Sequence, residues 1–414
     1  MPISFSILIV VFCLIAIRQW LPAWVKIWHI MLGGAVLLLV CDQVSPMTAV
    51  KLVQWHIIGF LFGVFSIGSG LQETDLPRRL CQLLLGQSRP RWKILLGFML
   101  MSAFISAIVT NDTVAIIATP LALLLAKATK VNAKLFLLAL CFSITIGSAL
   151  SPIGNPQNIL ITVQGQLAMP FIDFFNYLSV PVLLSLIICF LWLCYLFRRD
   201  LKQQSSYQTI SLNTTSINRW PVLLSILLFL ILLIYYTLAQ FNMNLAKLSL
   251  GTIGLISCLP LYCFSSHRVR LVTRVDWSTL IFFIAMFIVM GTVWHSGIIQ
   301  QFISKKNINL DKLSHIFIIS TMVSQLISNM PLVELYLSYF GHTSIYNLMA
   351  LSISSTFAGN LFIISAASTV IVIQQAESHH NRSITFWNFF AAGLPLTIIT
   401  LLLSYIWFYC IPTF

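Results

Sequence analysis

Apolar runs of about 20 residues recur from one end of this chain to the other, and each can cross a hydrocarbon layer of about 30 Å as a helix. Examples are Trp24–Val40, Leu178–Phe197, Pro221–Leu238 and Asp276–Trp294. Of the 414 residues, 59% are hydrophobic and 8% charged, too few charges to cover a water-facing surface. An all-α polytopic protein with the lipid bilayer as solvent follows, with no room for a sizeable soluble domain. The stretch from Met1 to Ile17 has no basic residue before its apolar run and no small-residue cleavage site, so it reads as a retained first helix. The net charge of +13 belongs to Lys and Arg at helix ends, where they set orientation, and not to a nucleic-acid partner. Nine cysteines are scattered without a Cys-x-x-Cys or Cys/His cluster, which points to neither a disulfide framework nor a metal centre.

Polar interruptions divide the apolar pattern into two matching halves. Segments near 3–18, 24–41 and 49–70 lead to a polar-basic stretch, Gln72 to Arg91, expected at the interface. The region 93–126 is interrupted at Thr110-Asn111-Asp112-Thr113, 135–166 at Ser151-Pro152-Ile153-Gly154-Asn155-Pro156, and 174–197 closes the half. Residues 201–219, rich in Ser, Thr, Gln and Asn, read as a cytoplasmic linker between repeats at 1–200 and 220–414. The second half runs through 221–238, 247–263 and 276–295. Then follow 313–341, interrupted at Ser328-Asn329-Met330-Pro331, and 345–376, interrupted around Gly359-Asn360 and Ala366-Ala367-Ser368, and finally 387–411. Val53-Gln54-Trp55 with Gly68 matches Val275-Asp276-Trp277 with Gly291, and Ile108-Val109-Thr110-Asn111 matches Leu326-Ile327-Ser328-Asn329. Such a repeat dictates topology.

Charge decides how the interrupted segments sit. Arg89, Arg91 and Lys93 precede 93–126, and Lys127, Lys130 and Lys134 follow it. A re-entrant hairpin keeps both basic flanks in the cytoplasm, whereas a full crossing would export one of them. Five crossings and one hairpin per half leave only Lys51, Lys247, Lys305, Lys306 and Lys312, of 23 Lys and Arg, on the outer side. Five is odd, so the second half is inserted upside down and both termini face out of the cytoplasm.

Backbone that is not helical cannot face lipid, because each unpaired amide or carbonyl costs several kcal/mol there. The four interruptions must therefore be buried in protein or line a watery cavity at mid-membrane. Pro156 suits the first position of a new helix and Asn155 can cap it, so that half-helix aims its N-terminal amides at the bilayer middle, where they attract anions. Asn111, Asp112 and Thr113, then Ser328 and Asn329, can cap the exit arms of the hairpins. Their oxygens can also hold a hard cation, and a sodium ion at Asn111, Asp112 and Asn329 is the one cofactor expected. Asp112 is the acid at a hairpin tip, suited to ion coupling, substrate contact or capping. Glu334 lies a turn beyond the other tip. His29, His56 and His295 fall near helix ends, as packing or interface residues.

At these residues the chain resembles the ion transporter superfamily that contains arsenite efflux pumps, divalent-anion/sodium symporters, citrate carriers and one class of sodium/proton antiporters. The resemblance is carried by Thr110-Asn111-Asp112-Thr113-Val114-Ala115 with Thr119-Pro120, by Gly147 to Asn158, by Ser328-Asn329-Met330-Pro331, and by Gly359-Asn360 with Ser365 to Ser368. It implies a scaffold of early helices and a transport body of hairpins and interrupted helices that moves by elevator-like alternating access, in a homodimer. It matches Asn111 and Asn329 to the hairpin-tip asparagines and Asn155 to the interrupted-helix loop, and with the other polar residues of the interruptions the expected substrate and ion set is Thr110, Asn111, Asp112, Thr113, Ser151, Gly154, Asn155, Asn158, Ser328, Asn329, Asn360, Ser365 and Ser368. The dicarboxylate branch carries Ser-Asn-Thr at both tips. Thr-Asn-Asp and Ser-Asn-Met here are closer to the arsenite and uncharacterised anion-permease branches. The expected function is secondary transport of a small carboxylate or inorganic anion across the inner membrane, coupled to sodium or protons. Arsenite or antimonite efflux and sodium/proton exchange are the alternatives, and no nucleophile–base pair or soluble module suggests an enzyme.

Overall fold

The computed structural model describes residues 3–17, 22, 24–86, 89–202, 219–241, 248–298, 301, 310–340, 343–363, 365–378 and 384–411. Within them the chain is helical, without strands. Most of the expected linker, the first two residues, and Arg18, Lys247, Lys305, Lys306 and Arg382 lie outside the described residues.

The order of elements repeats. The first half has helices Ile3–Ala16 and Ile27–Val40, a short helix Pro46–Leu52, a long helix Trp55–Gln72, and then a helical hairpin made of Arg91–Ile108 and Asn111–Thr129. A broken helix follows, Ala133–Ser148 with Pro156–Gln164, and a closing helix, Pro170–Leu196. The second half has Trp220–Phe241, Leu250–Phe264, a short helix Arg268–Thr273, and Trp277–His295. Its hairpin is Leu313–Ile327 with Asn329–Phe340, its broken helix Ile345–Ala358 with Ala367–Ser378, and its closing helix Phe386–Cys410. The single segment expected over 49–70 is in fact two helices, and the reason recurs in the second half. Gln54 (φ −79°, ψ 78°) and Asp276 (φ −73°, ψ 76°) break the chain in the same way. The indole N–H of Trp55 donates to the Val50 carbonyl at 3.0 Å, and that of Trp277 to the Val272 carbonyl at 2.9 Å. The faint Val-x-Trp match is therefore a repeated turn.

Two crossed hydrogen bonds show that the halves run in opposite directions. Trp192 Nε1 of the first closing helix donates to the Ala392 carbonyl at 2.9 Å, and Trp407 Nε1 of the second donates to the Tyr177 carbonyl at 2.9 Å. The late part of each helix meets the early part of the other, so these equivalent helices are antiparallel. Tyr177 is four residues before Pro181. A proline inside a helix has no N–H to offer the carbonyl four residues back, and the Trp407 indole satisfies the one left free. These two tryptophans thus tie the halves together, while others, such as Trp24, Trp220 and Trp387, are exposed at segment ends as interface anchors.

Each long helix after the short one packs against the second helix of the other half. Helix 55–72 meets helix 250–264 through bare backbone: a Cβ on Gly63 would collide with the Gly254 carbonyl, and one on Gly251 with the backbone of His56. Small residues allow such approach where lipid removes the hydrophobic drive between helices. The two pairs meet through helices 55–72 and 277–295, and helix 55–72 also packs against the exit arm 111–129. The hairpins pack along the broken helices.

The hairpin expected from charge is present. Arg91, at the start of the entry arm, donates from Nη2 to the carbonyl of Thr129, at the end of the exit arm, at 2.7 Å. Two helices of 18 and 19 residues joined at Val109-Thr110 thus begin and end on one side. The second hairpin closes likewise, with Asp311 before it accepting from Thr343 Oγ1 (3.5 Å) and Asn347 Nδ2 (3.4 Å) after it. Arg91 also donates to the Asp200 carbonyl. Glu73, capping helix 55–72, accepts from Arg270 at 3.0 Å and from Arg274. Arg91, Lys127, Lys130 and the 198–202 segment are therefore gathered on one face, and Glu73 ties the end of helix 55–72 to Arg270 and Arg274.

Candidate functional site

The hairpin tips and helix breaks meet at the centre, and their contacts follow from unpaired backbone. The first tip is capped by Thr110, whose Oγ1 accepts from the Thr113 amide at 3.4 Å, and not by Asn111, Asp112 or Thr113. Capping by the residue before them leaves the side chains of Asn111 and Asp112 available. The Asn111 amide donates to the Gly154 carbonyl at 2.8 Å, docking the tip on the first break, and Asn111 Nδ2 donates to Ser368 Oγ of the second broken helix at 3.3 Å.

The first break has the form expected at Asn155-Pro156. Asn155 Oδ1 accepts from the Asn158 amide at 2.8 Å, and its Nδ2 donates to Ser148 Oγ (3.2 Å) and Thr356 Oγ1 (3.3 Å). Asn158 Nδ2 donates to the carbonyls of Ser148 (3.2 Å) and Ser151 (3.0 Å), and its Oδ1 accepts from Ser352 Oγ at 2.8 Å. Ser151 Oγ accepts from the Ile153 amide at 3.3 Å. Both asparagines are fully buried and fully engaged. They frame the break and stitch it to the opposite half.

The second tip bears backbone strain. Ser328 sits at φ 72°, ψ 160°, a conformation open essentially to glycine and costing a side-chain-bearing residue about 1–3 kcal/mol. Its Oγ donates to the Ser365 carbonyl of the second break at 3.2 Å, and Gln325 Nε2 donates to the Ala358 carbonyl at 3.0 Å. Ser365 Oγ donates to the Phe362 carbonyl at 2.7 Å.

Between these parts lies a cavity of about 30 Å³ lined by Asn111, Asp112, Gln157, Ser328, Asn329 and Ser365, with Phe282 and Phe283 of helix 277–295 on the wall. Its volume suits a few atoms, on the scale of one or two waters. Four helices start beside it, at Asn111, Pro156, Asn329 and Ala367, and each N-terminus is electropositive. Asn111 Oδ1, Asp112 Oδ2 and Asn329 Oδ1 are buried there without a hydrogen-bond partner, as are both side-chain polar atoms of Asn360 in the second break. Buried polar atoms normally have partners, so orphaned oxygens around a cavity mark a place for a ligand. No Lys or Arg lines it among the described residues. A second cavity, of about 120 Å³, shares Phe282, Ser328 and Ala367 with it and reaches Lys26, Asp276 and Gln374.

Of the residues expected at the site, Asn111, Asp112, Ser328, Asn329 and Ser365 share the cavity and Ser368 touches Asn111. Thr110, Thr113, Ser151, Gly154, Asn155 and Asn158 lie behind it as caps and frame. Gln157, which donates to Thr356 Oγ1 at 3.4 Å, and Thr145 were not expected. Gln157 is readable as the next polar residue of the Asn155 motif, and Thr145 as a hydroxyl one turn before the break. Phe282 and Phe283 carry no signal, since they belong to an uninterrupted helix.

An inverted pair of repeats with helix breaks facing each other at mid-membrane defines a secondary transporter, multi-pass in the lipid bilayer. Residues 10–342 match the profile of the CitMHS family, described as citrate transporter, and the chain belongs to that family. It is 26% identical over 374 residues to an uncharacterised transporter of Mycobacterium tuberculosis (strain H37Rv), covering 86% of each protein. It is 23% identical over 370 residues to the inner membrane protein YbiR of Escherichia coli K12, covering 89% of this chain and 91% of that one. Over 141 residues, 34% of this chain and 29% of the other, it is 36% identical to the silicon efflux transporter LSI3 of Oryza sativa subsp. japonica. The fold is shared with the YdaH transporter of Alcanivorax borkumensis, whose crystal structure is described as having an unusual topology. The TM-score is 0.54 at 14% identity, over 86% of this chain and 84% of that one.

Proposed function

We propose that this protein carries a small anion, carboxylate or inorganic, coupled to sodium or protons, by elevator-type alternating access in a homodimer. One observation carries the reading: four half-helix N-termini converge on a cavity that, among the described residues, no cationic side chain lines. Backbone amides would supply the attraction for an anion, and they do so without a counter-charge that would hold the cargo too firmly. The unpaired Asn111 Oδ1, Asp112 Oδ2 and Asn329 Oδ1 form an all-oxygen set of the kind a sodium ion takes. The gathering of basic segments on one face supports placing that face in the cytoplasm, with both termini outside and the larger cavity opening inward.

The same orphaned oxygens favour a second reading. A neutral oxyacid such as arsenite offers hydroxyl donors, and three lone acceptors suit it as well as they suit a cation. The match to a silicon efflux transporter, and one at 28% identity over 154 residues to the putative transporter arsB of Dictyostelium discoideum, point the same way. Proteoliposomes decide between the two. Uptake of citrate, a dicarboxylate or an inorganic anion that requires an imposed sodium or proton gradient supports the anion reading. Arsenite flux without anion flux overturns it in favour of the second.

A further inference from the structure

One acid inside the membrane region has no part in the site above. Glu334 lies on the exit arm of the second hairpin, five residues beyond the tip residue Asn329, or about 7.5 Å along the helix. Its two carboxylate oxygens accept from the same group, Gln164 Nε2, at 3.1 and 3.0 Å. Gln164 is the last residue of helix 156–164, the half-helix that starts at the first break. We infer that the Glu334–Gln164 pair is a proton-binding site that couples transport to proton movement, an inference that rests on the carrier reading above.

The surroundings favour exchange of a proton over a permanent charge. Four elements pack against the exit arm: the entry arm, helix 277–295, helix 345–358 and helix 156–164. Their titratable residues are His315, His295 and Tyr346, and the exit arm itself adds Tyr336 and Tyr339. None pairs with Glu334, since the ion pairs among the described residues are Asp75–Arg79 and Glu73 with Arg270 and Arg274. A carboxylate at this depth is costly without a cation beside it. A lysine or arginine partner would hold it ionised. Glutamine serves both forms: its NH₂ donates to the carboxylate, and after rotation of the amide its C=O accepts from the carboxylic acid. The reaction is the reversible transfer of a proton from hydronium to one Glu334 oxygen, releasing water. The side chain is partly exposed.

The repeat shows that the acid is not needed to build the arm. Asn329 corresponds to Asn111, so Glu334 corresponds to Ile116. The first hairpin makes the same helix with an apolar residue there. A carboxylate present in one repeat only, between a hairpin arm of one half and a half-helix of the other, can bias how the two halves meet according to its protonation.

The experiment uses the full chain in proteoliposomes, with radiolabelled citrate and arsenite as probes. It compares accumulation driven by a pH gradient with exchange in the absence of a gradient. Glu334→Gln is expected to lose accumulation and keep exchange. Gln164→Lys, which supplies a fixed cation, should remove the pH dependence, and Glu334→Asp should restore part of the accumulation. Pair residues that matter only for folding would lose both fluxes together, and that result, or accumulation unchanged in Glu334→Gln, overturns the inference. A wild type that moves neither probe counts against the carrier reading alone. Infrared pH titration then decides the site: a protonated-carboxyl band that Glu334→Gln removes supports it, and the absence of such a band overturns it.

Discussion

Replacing Asn155 by alanine removes three hydrogen bonds from a residue that is fully buried at the first helix break. One is the cap on the Asn158 amide at 2.8 Å; the others are the donations to Ser148 Oγ and Thr356 Oγ1 at 3.2 and 3.3 Å. Loss of an N-cap costs about 1 kcal/mol, and each buried side-chain bond about 1 kcal/mol net. Ser148 keeps its own donation to the Thr145 carbonyl, so its loss sits at the low end of that range. Asn155→Ala should therefore destabilise the protein by about 2–4 kcal/mol. Asn155→Ser keeps a capping oxygen and loses only the two amide donations, so it should cost less, about 1–2 kcal/mol. Asn155→Asp instead puts a carboxylate at a helix N-terminus beside the cavity, where it competes with an anionic cargo. Unfolding in mixed detergent–SDS micelles measures the first effect, and ligand-dependent thermal shift with citrate and arsenite the second. Equal destabilisation by alanine and serine would refute the capping argument. Unchanged anion binding in Asn155→Asp would refute the claim that helix ends attract the cargo.

Further expectations test the other parts of the design. Asp112→Asn should abolish sodium-dependence of flux while leaving the protein folded; uptake driven by a sodium gradient checks it, and intact sodium coupling removes Asp112 from that role. Ser328→Gly should relieve about 1 kcal/mol or more of backbone strain at the second tip, so it should be at least as stable as the parent in the same unfolding titration, with an altered transport rate. Gly63→Ala should prevent stable expression of the folded protein, because the added methyl meets the Gly254 carbonyl and backbone cannot yield as a side chain can; size-exclusion chromatography reads this out. The Arg79 guanidinium, bonded to Asp75 at 2.5 Å, holds the Asp75 carboxyl below the usual carboxylate range. A depressed folded-state value contributes stability above the ordinary carboxylate pKa and loses it as pH falls through the lowered one, so Asp75→Asn should flatten the acid limb of a stability–pH curve.

Much of the architecture was legible because lipid makes sequence speak plainly. Apolar runs must be long enough to cross, and basic flanks must stay on one side, so the flanks at Arg91 and Lys127 were enough to imply a hairpin, and the bond from Arg91 to Thr129 is its closure. Boundaries came out within a few residues. The split at Gln54 was missed because no proline or glycine marks it. The break arises from a tryptophan reaching back to a carbonyl five residues earlier, and the repeated Trp277 was the only clue. Contacts between distant helices were not legible at all. Pro120 inside the first exit arm cannot donate to the Ile116 carbonyl, and Gln72 Nε2, at the end of helix 55–72, does so at 2.9 Å. Sequence shows the proline and the glutamine, but nothing in it pairs them.

The same accounting separates binding residues from framing ones, which the polar motifs alone could not do. Asn111, Asn155, Asn158 and Asn329 look equivalent in the chain, each a small amide at an interruption. In the fold, Asn155 and Asn158 have their oxygens and nitrogens occupied by the backbone and by hydroxyls of the opposite half, so either could bind cargo only by giving up bonds that hold the break in shape. Asn111 and Asn329 keep an oxygen unpaired beside the cavity, and Asp112 adds a third. Leaving three buried acceptors orphaned costs several kcal/mol in total, and a cation or a hydroxyl-bearing solute recovers that cost on binding. Movement of the hairpin tips away from the breaks would undo the bonds of Asn111 to Gly154 and of Ser328 to Ser365. In the carrier proposed above, a solute that satisfies these acceptors would add its binding energy to the bonds that hold the tips closed.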